Sequence, residues 1–75
     1  MERYRNFSGK SGVIAFEIGT DNIKVQFLDG SVYLYDYSSP GIEAVRTMKT
    51  LAKKGSGLST FISTSVRDRY AARLK

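Results

Sequence analysis

The chain has 75 residues, 41% of them hydrophobic and 12% aromatic, with no cysteine, no histidine and a net charge of +5. That length supports one small domain around a single core. The missing residue types exclude disulfides, Cys/His zinc sites and any nucleophile that relies on a histidine base. The N-terminus carries charges without an apolar h-region, and the longest apolar run is only Val13 to Phe16. A bilayer span needs ~20 apolar residues, so a cytoplasmic protein without membrane contact is expected.

Residues 1–12 include Ser8, Gly9, Ser11 and Gly12, show no sustained period and read as a flexible N-terminal arm; residues 13–75 read as the single domain. From Val13 the pattern alternates, with Ile14, Phe16 and Ile18 on one face before the turn formers Gly19-Thr20-Asp21-Asn22. Ile23, Val25 and Phe27 share a face of the next strand. Asp29-Gly30 signals a two-residue hairpin turn, and a third strand follows from Val32 to Tyr37. In this register Ile18 faces Ile23, Phe16 faces Val25 and Ile14 faces Phe27. Across the second turn Phe27 faces Val32 and Val25 faces Leu34. Both hairpins then put one apolar set on one side, and Glu17 lies opposite Lys24.

The helix that follows is expected to start at a Ser39 N-cap, with Pro40 at its first position and Glu43 near its positive end. Ala44, Val45, Met48, Leu51 and Ala52 recur at helical spacing, Lys53 and Lys54 occupy the last turn, and Gly55 is a natural C′ residue. Leu58, Ile62, Val66, Tyr70 and Leu74 then repeat every four residues. The Ser/Thr-rich stretch 59–65 weakens this pattern, giving a short helix near 58–64 and a turn or second helix at 66–73. The expected fold is α+β: a three-stranded antiparallel β-meander whose Ile14/Phe16/Val25/Phe27/Leu34 face is packed by one main helix, with a short C-terminal helical segment.

Charge is unevenly placed, −2 over residues 1–45 and +7 over residues 46–75. Arg46, Lys49 and Lys53 fall on one helical stripe, and Lys54, Arg67 and Arg69 add to the same half. Such a surface can follow a phosphate backbone, and it can equally be a solvated face. Tyr33, Tyr35 and Tyr37 alternate on the third strand, opposite the polar Gln26, Lys24 and Asn22. Two readings stay open: a platform on which unpaired bases stack, or rings buried under the second helical segment. Lys53-Lys54-Gly55-Ser56-Gly57 reads either as an anion-binding turn or as a helix C-cap followed by a hinge, and it is not a Walker A loop. No RRM signature is present. Asp21 and Asp29 sit in turns and Glu17 is paired, so no catalytic residue, metal ligand or cofactor is expected.

The Asp29-Gly30 turn, the Tyr33-Leu34-Tyr35 triplet, the helix led by Pro40, and the ending Gly57-Leu58-Ser59-Thr60-Phe61-Ile62 with Val66-Arg67-Asp68-Arg69-Tyr70 resemble the KTSC domain. That family is a bacterial module, found alone and as a C-terminal extension of some lysyl-tRNA synthetases, with a central Tyr-x-Tyr matched here by Tyr33 and Tyr35. The resemblance covers about residues 11–74. The chain departs from it in the Tyr37-Ser38-Ser39-Pro40 spacing and in Ile62 after Phe61. The synthetase association implies a role in RNA binding. The leading expectation is therefore a non-catalytic RNA-binding module in which Arg46, Lys49, Lys53, Lys54, Arg67 and Arg69 contact phosphates while Tyr33 and Tyr35 stack bases. The rival is a protein-interaction or homo-oligomerising module that uses the Tyr33/Tyr35/Tyr37 face.

Overall fold

A computed structural model describes residues 1–7, 9 and 11–75. Strands β1 (Glu2–Arg3), β2 (Val13–Ile18), β3 (Asn22–Phe27), β4 (Val32–Asp36) and β5 (Ala72–Arg73) form one antiparallel sheet in sequence order. Helices α1 (Ile42–Lys54) and α2 (Leu58–Phe61) supply the rest of the core, and α2 runs on as a π-helical turn, Ile62–Val66. The class is α+β as expected, but the meander has five strands rather than three. The two added strands are two residues each, too short for period-2 patterning to register in the sequence.

The first hairpin keeps the expected register from its turn outward. Ile18 opposes Ile23, Phe16 opposes Val25, and Glu17 opposes Lys24 with Nζ 3.4 Å from the carboxylate. A β-bulge between Val13 and Ala15 then shifts the pairing, so Val13 rather than Ile14 stands against Phe27. Val13 is fully buried, whereas Ile14 is 37% exposed and its carbonyl accepts the Tyr4 N–H at 3.0 Å.

The second hairpin is displaced by one residue from the expected pairing. Val25 opposes Tyr33, Ile23 opposes Tyr35, and Lys24 opposes Leu34. The Asp29-Gly30 pair does not form a two-residue turn, because only Gly30 has positive φ (91°) and Asp29 does not. Gly30 N–H donates to the Phe27 carbonyl and Phe27 N–H to the Ser31 carbonyl, both at 2.9 Å. Leu28, Asp29 and Gly30 thus make a three-residue loop that ends in a left-handed glycine. Since side chains alternate with a period of two, the one-residue change exchanges the faces of β4. Tyr33 and Tyr35 turn toward the helices, and Leu34 turns outward with Lys24.

Helix α1 begins later than its capping pattern suggests. Asp36 accepts the N–H groups of Ser38 (2.9 Å) and Ser39 (3.0 Å) on one carboxylate oxygen, which closes a turn ahead of the helix. Gly41 is the N-cap, Pro40 lies in an isolated bridge with Asp36, and the Ser39 hydroxyl donates to the Arg69 carbonyl at 2.8 Å. The helix ends as expected, with Gly55 at φ 83° donating to the Leu51 carbonyl at 2.9 Å. Val45, Met48 and Ala52 are buried against Phe16, Ile23, Val25 and Tyr35 in one cluster with Leu58, Ile62 and Val66.

Part of the expected N-terminal arm is built into the fold. Glu2 pairs with Phe16, Arg3 pairs with Ala15, and Tyr4 is a core residue whose hydroxyl accepts the Leu58 N–H at 3.3 Å. Phe7 N–H reaches the Gly55 carbonyl at 2.8 Å, and a Cβ on Gly55 would stand 2.8 Å from the Cβ of Arg5. This close approach, together with its positive φ, is why position 55 takes glycine. Ser8 and Lys10 of that segment lie outside the described residues.

At the other end, Leu58, Ile62 and Val66 are buried as their spacing implies, but Tyr70 and Leu74 leave the helical pattern. Arg67 adopts φ 55°, ending the π turn, and the chain doubles back so that β5 pairs with β4. No helix among the described residues is long and apolar enough to cross a membrane.

Candidate nucleic-acid interface

The basic half of the chain keeps its charge uncompensated. Among the described residues the ion pairs are those of Glu17 with Lys24 and with the N-terminal amine, both in the sheet, so no Lys or Arg after residue 45 has an acidic partner. Arg46 and Lys53 stand seven positions apart on α1, two helical turns, and so share a face. Both are exposed, as are Lys54 and Arg67, and none of the four side chains makes a hydrogen bond to a described residue. These four cations are held by α1 and by the end of the π turn, with their charged groups toward water.

Two of the expected phosphate contacts are engaged elsewhere. Lys49 is half-buried, donates to the Thr20 carbonyl at 3.0 Å and lies 5.7 Å from the centre of the Tyr37 ring. Its charge ties α1 to the first hairpin turn. The Arg69 guanidinium donates to the Ser65 carbonyl and, through Nε at 3.3 Å, to the Val66 carbonyl. Those carbonyls belong to the end of a helical segment, where a cation complements the local dipole.

The tyrosines do not form an open platform. Tyr35 is 1% exposed and packed in the core, so its ring cannot stack a base, and burial pushes its hydroxyl pKa up to about 12, with Tyr33 and Tyr70 adding smaller contributions. Tyr33 is half-buried between Phe27 (centroids 5.6 Å apart, planes at 84°) and Tyr70 (4.6 Å, 70°), and the Arg73 guanidinium sits 5.5 Å from its centre. Tyr37 alone is exposed. The Tyr33/Tyr35/Tyr37 face that a protein partner would use is therefore mostly interior, for the same reason that the register moved by one residue.

What the inversion leaves is an open cleft of about 380 Å³ between the second hairpin and the segment after the π turn. It is lined by the aromatic rings of Phe27, Tyr33 and Tyr70, by the buried Tyr35, Ile62 and Ser31, and by the exposed Asp29, Arg67 and Asp68. Asp29 is held in place by Ser31, whose hydroxyl (2.6 Å) and N–H (3.0 Å) donate to the same carboxylate oxygen. These bonds hold the Asp29 carboxyl below the usual carboxylate range, with Arg73 as a weaker attraction. Of the expected site residues, Tyr33, Tyr35 and Arg67 meet here, while Arg46, Lys49, Lys53 and Lys54 lie on α1. Sequence reasoning missed the cleft because Tyr70 matched a four-residue helical repeat, and the reversal at Arg67 has no compositional signal.

The glycine turn serves as the C-cap of α1. The Gly55 carbonyl takes the Phe7 N–H, Gly57 (φ 84°) precedes the four-residue α2, and the first helical N–H, that of Leu58, is already given to Tyr4. No family model, curated protein or solved structure matches the chain.

Proposed function

We propose that this chain is a non-catalytic module that binds single-stranded RNA through Arg46, Lys53, Lys54 and Arg67, in a KTSC-like domain working in the bacterial cytoplasm. The observation that carries this reading is that the basic half has exposed cations with no acidic partner among the described residues. Unpaired cations gain most from phosphate, because each contact releases condensed counterions. A non-catalytic role fits the acids as well, since Glu17 is paired with Lys24 and Asp29 is oriented by Ser31 through one carboxylate oxygen. The residues resembling the KTSC domain favour RNA as the polyanion.

The test is fluorescence anisotropy with a labelled single-stranded RNA across a salt series. Single strands give a slope of ~−0.7 per neutralised phosphate in log K against log salt, so four contacts correspond to about −3. The double variant Lys53→Ala/Lys54→Ala is expected to bind more weakly and to flatten that slope by about 1.4. Absence of binding at low salt overturns the reading.

A further inference from the structure

The cleft beside Arg67 contains a polar group that phosphate binding leaves unused. Tyr35 lines the cleft and is 1% exposed, yet its hydroxyl makes no hydrogen bond to a described residue. Among the described residues every fully enclosed side-chain nitrogen or oxygen has a partner, so the hydroxyl keeps its sliver of exposure on the cleft side. With no protein partner, the hydroxyl has its hydrogen-bonding capacity open to whatever enters the cleft, and a ligand of matching polarity can bond to it there. At neutral pH the group is un-ionised and can both donate and accept.

We propose that the cleft receives one unpaired nucleobase bearing an exocyclic amino group, cytosine in preference to uracil, with the Tyr35 hydroxyl bonded to its edge. The inference rests on the nucleic-acid reading for its class of ligand and adds where a base goes and which base is chosen. Charge separates the two tasks. The exposed Arg46, Lys53 and Lys54 of α1 lie outside the cleft, whereas the cleft lining carries two carboxylates, Asp29 and Asp68, beside the single cation Arg67. Phosphates therefore favour α1 and a neutral ring favours the cleft. Two carboxylates at the rim accept from an amino group, as acids do from the cytosine N4 group, and meet the uracil carbonyl at the same position with repulsion. The aromatic walls Tyr33 and Tyr70 suit a flat ring, and Arg67 stands at the rim to hold a base carbonyl or the nucleotide's own phosphate. A volume of about 380 Å³ lies near the lower end of the ~300–1,000 Å³ typical of ligand sites, which is room for a single nucleotide head rather than a stack.

The experiment is a titration of ¹⁵N-labelled protein with CMP and UMP at low salt, followed by NMR, on the parent chain and on Tyr35→Phe and Asp68→Asn. CMP is expected to shift the amides of Tyr33, Arg67, Asp68 and Tyr70 and to bind ~10-fold more tightly than UMP, the scale of one well-placed hydrogen bond. Tyr35→Phe removes a hydroxyl that no described residue uses, so it should melt at or above the parent temperature while weakening CMP ~10-fold. Asp68→Asn should narrow the difference between CMP and UMP. Equal binding of the two nucleotides, unchanged CMP binding by Tyr35→Phe, or equally strong occupation by N-acetyltyrosinamide, which marks a peptide site, overturns the proposal. An RNA oligonucleotide whose affinity falls with Lys53→Ala/Lys54→Ala and ignores Tyr35→Phe also overturns it while leaving the phosphate reading intact. CMP in the cleft with no tighter binding by an oligonucleotide does the reverse, supporting the base site against the RNA reading.

Discussion

The two central hairpins share strand β3 and similar alternating sequences, yet one keeps the register its pattern implies and the other is moved by one residue. In the first, Glu17 and Lys24 mark the outer face while Phe16, Ile18, Ile23 and Val25 mark the inner one, so only one pairing buries the apolar set. In the second, β4 reads Val-Tyr-Leu-Tyr, and each alternate set is apolar enough to face a core. The pattern then leaves the choice to the turn, and the turn is set by which residue takes positive φ. Gly30 does so and Asp29 does not, which makes the loop three residues long and sends the tyrosines inward. Alternation decides register only where the two faces differ in polarity.

The sharpest way to break this comparison is to truncate each face of β4. Tyr35→Ala should destabilise the fold by ~3–5 kcal/mol, as loss of a large core ring does, and Leu34→Ala by about 1 kcal/mol. Denaturant unfolding that ranks the two in the opposite order would restore the two-residue turn. A smaller effect is expected in the loops. Gly30→Ala forces a Cβ into the left-handed region at φ 91° and should cost ~1–2 kcal/mol, while Thr20→Ala in the first turn, where no residue has positive φ, should be close to neutral in thermal melts. The smallest effect is a titration. In the parent chain Asp29 has a lowered pKa because Ser31 bonds to its ionised form, so its contribution to stability is present above the unfolded value near 3.8 and is lost as pH falls through the lower folded value. Ser31→Ala should raise the Asp29 midpoint toward the ordinary carboxylate range in an NMR titration.

Legibility in the sequence followed the same division. The Glu17–Lys24 pair, the buried stripe Val45, Met48 and Ala52, and the Gly55 cap were all readable, because each depends on neighbours at fixed local spacing. Ile14 gave its core position to Val13 because a bulge adds a residue without altering the apolar pattern around it. Tyr4 was hidden in a segment without periodicity, and its place in the core comes from a contact with Leu58, 54 residues away. Of the candidate site, the exposed cations of α1 followed from helical spacing. Lys49 and Arg69 were diverted by carbonyls that only the folded chain brings near them, and the cleft needed the reversal at Arg67.

The strand order has a kinetic side. Strands β1 to β4 each pair with a neighbour across a short connection, so each pairing closes a small loop at little entropic cost. Strand β5 is the exception, since it reaches β4 only after residues 37–71 have gone round through both helices. With two residues and an outer position, it shares with β1 the places where amide exchange should find the sheet opening first. The Arg73 guanidinium rides on that strand over the Tyr33 ring, so transient release of the sheet's last edge would bare an aromatic face while the hairpins stay closed.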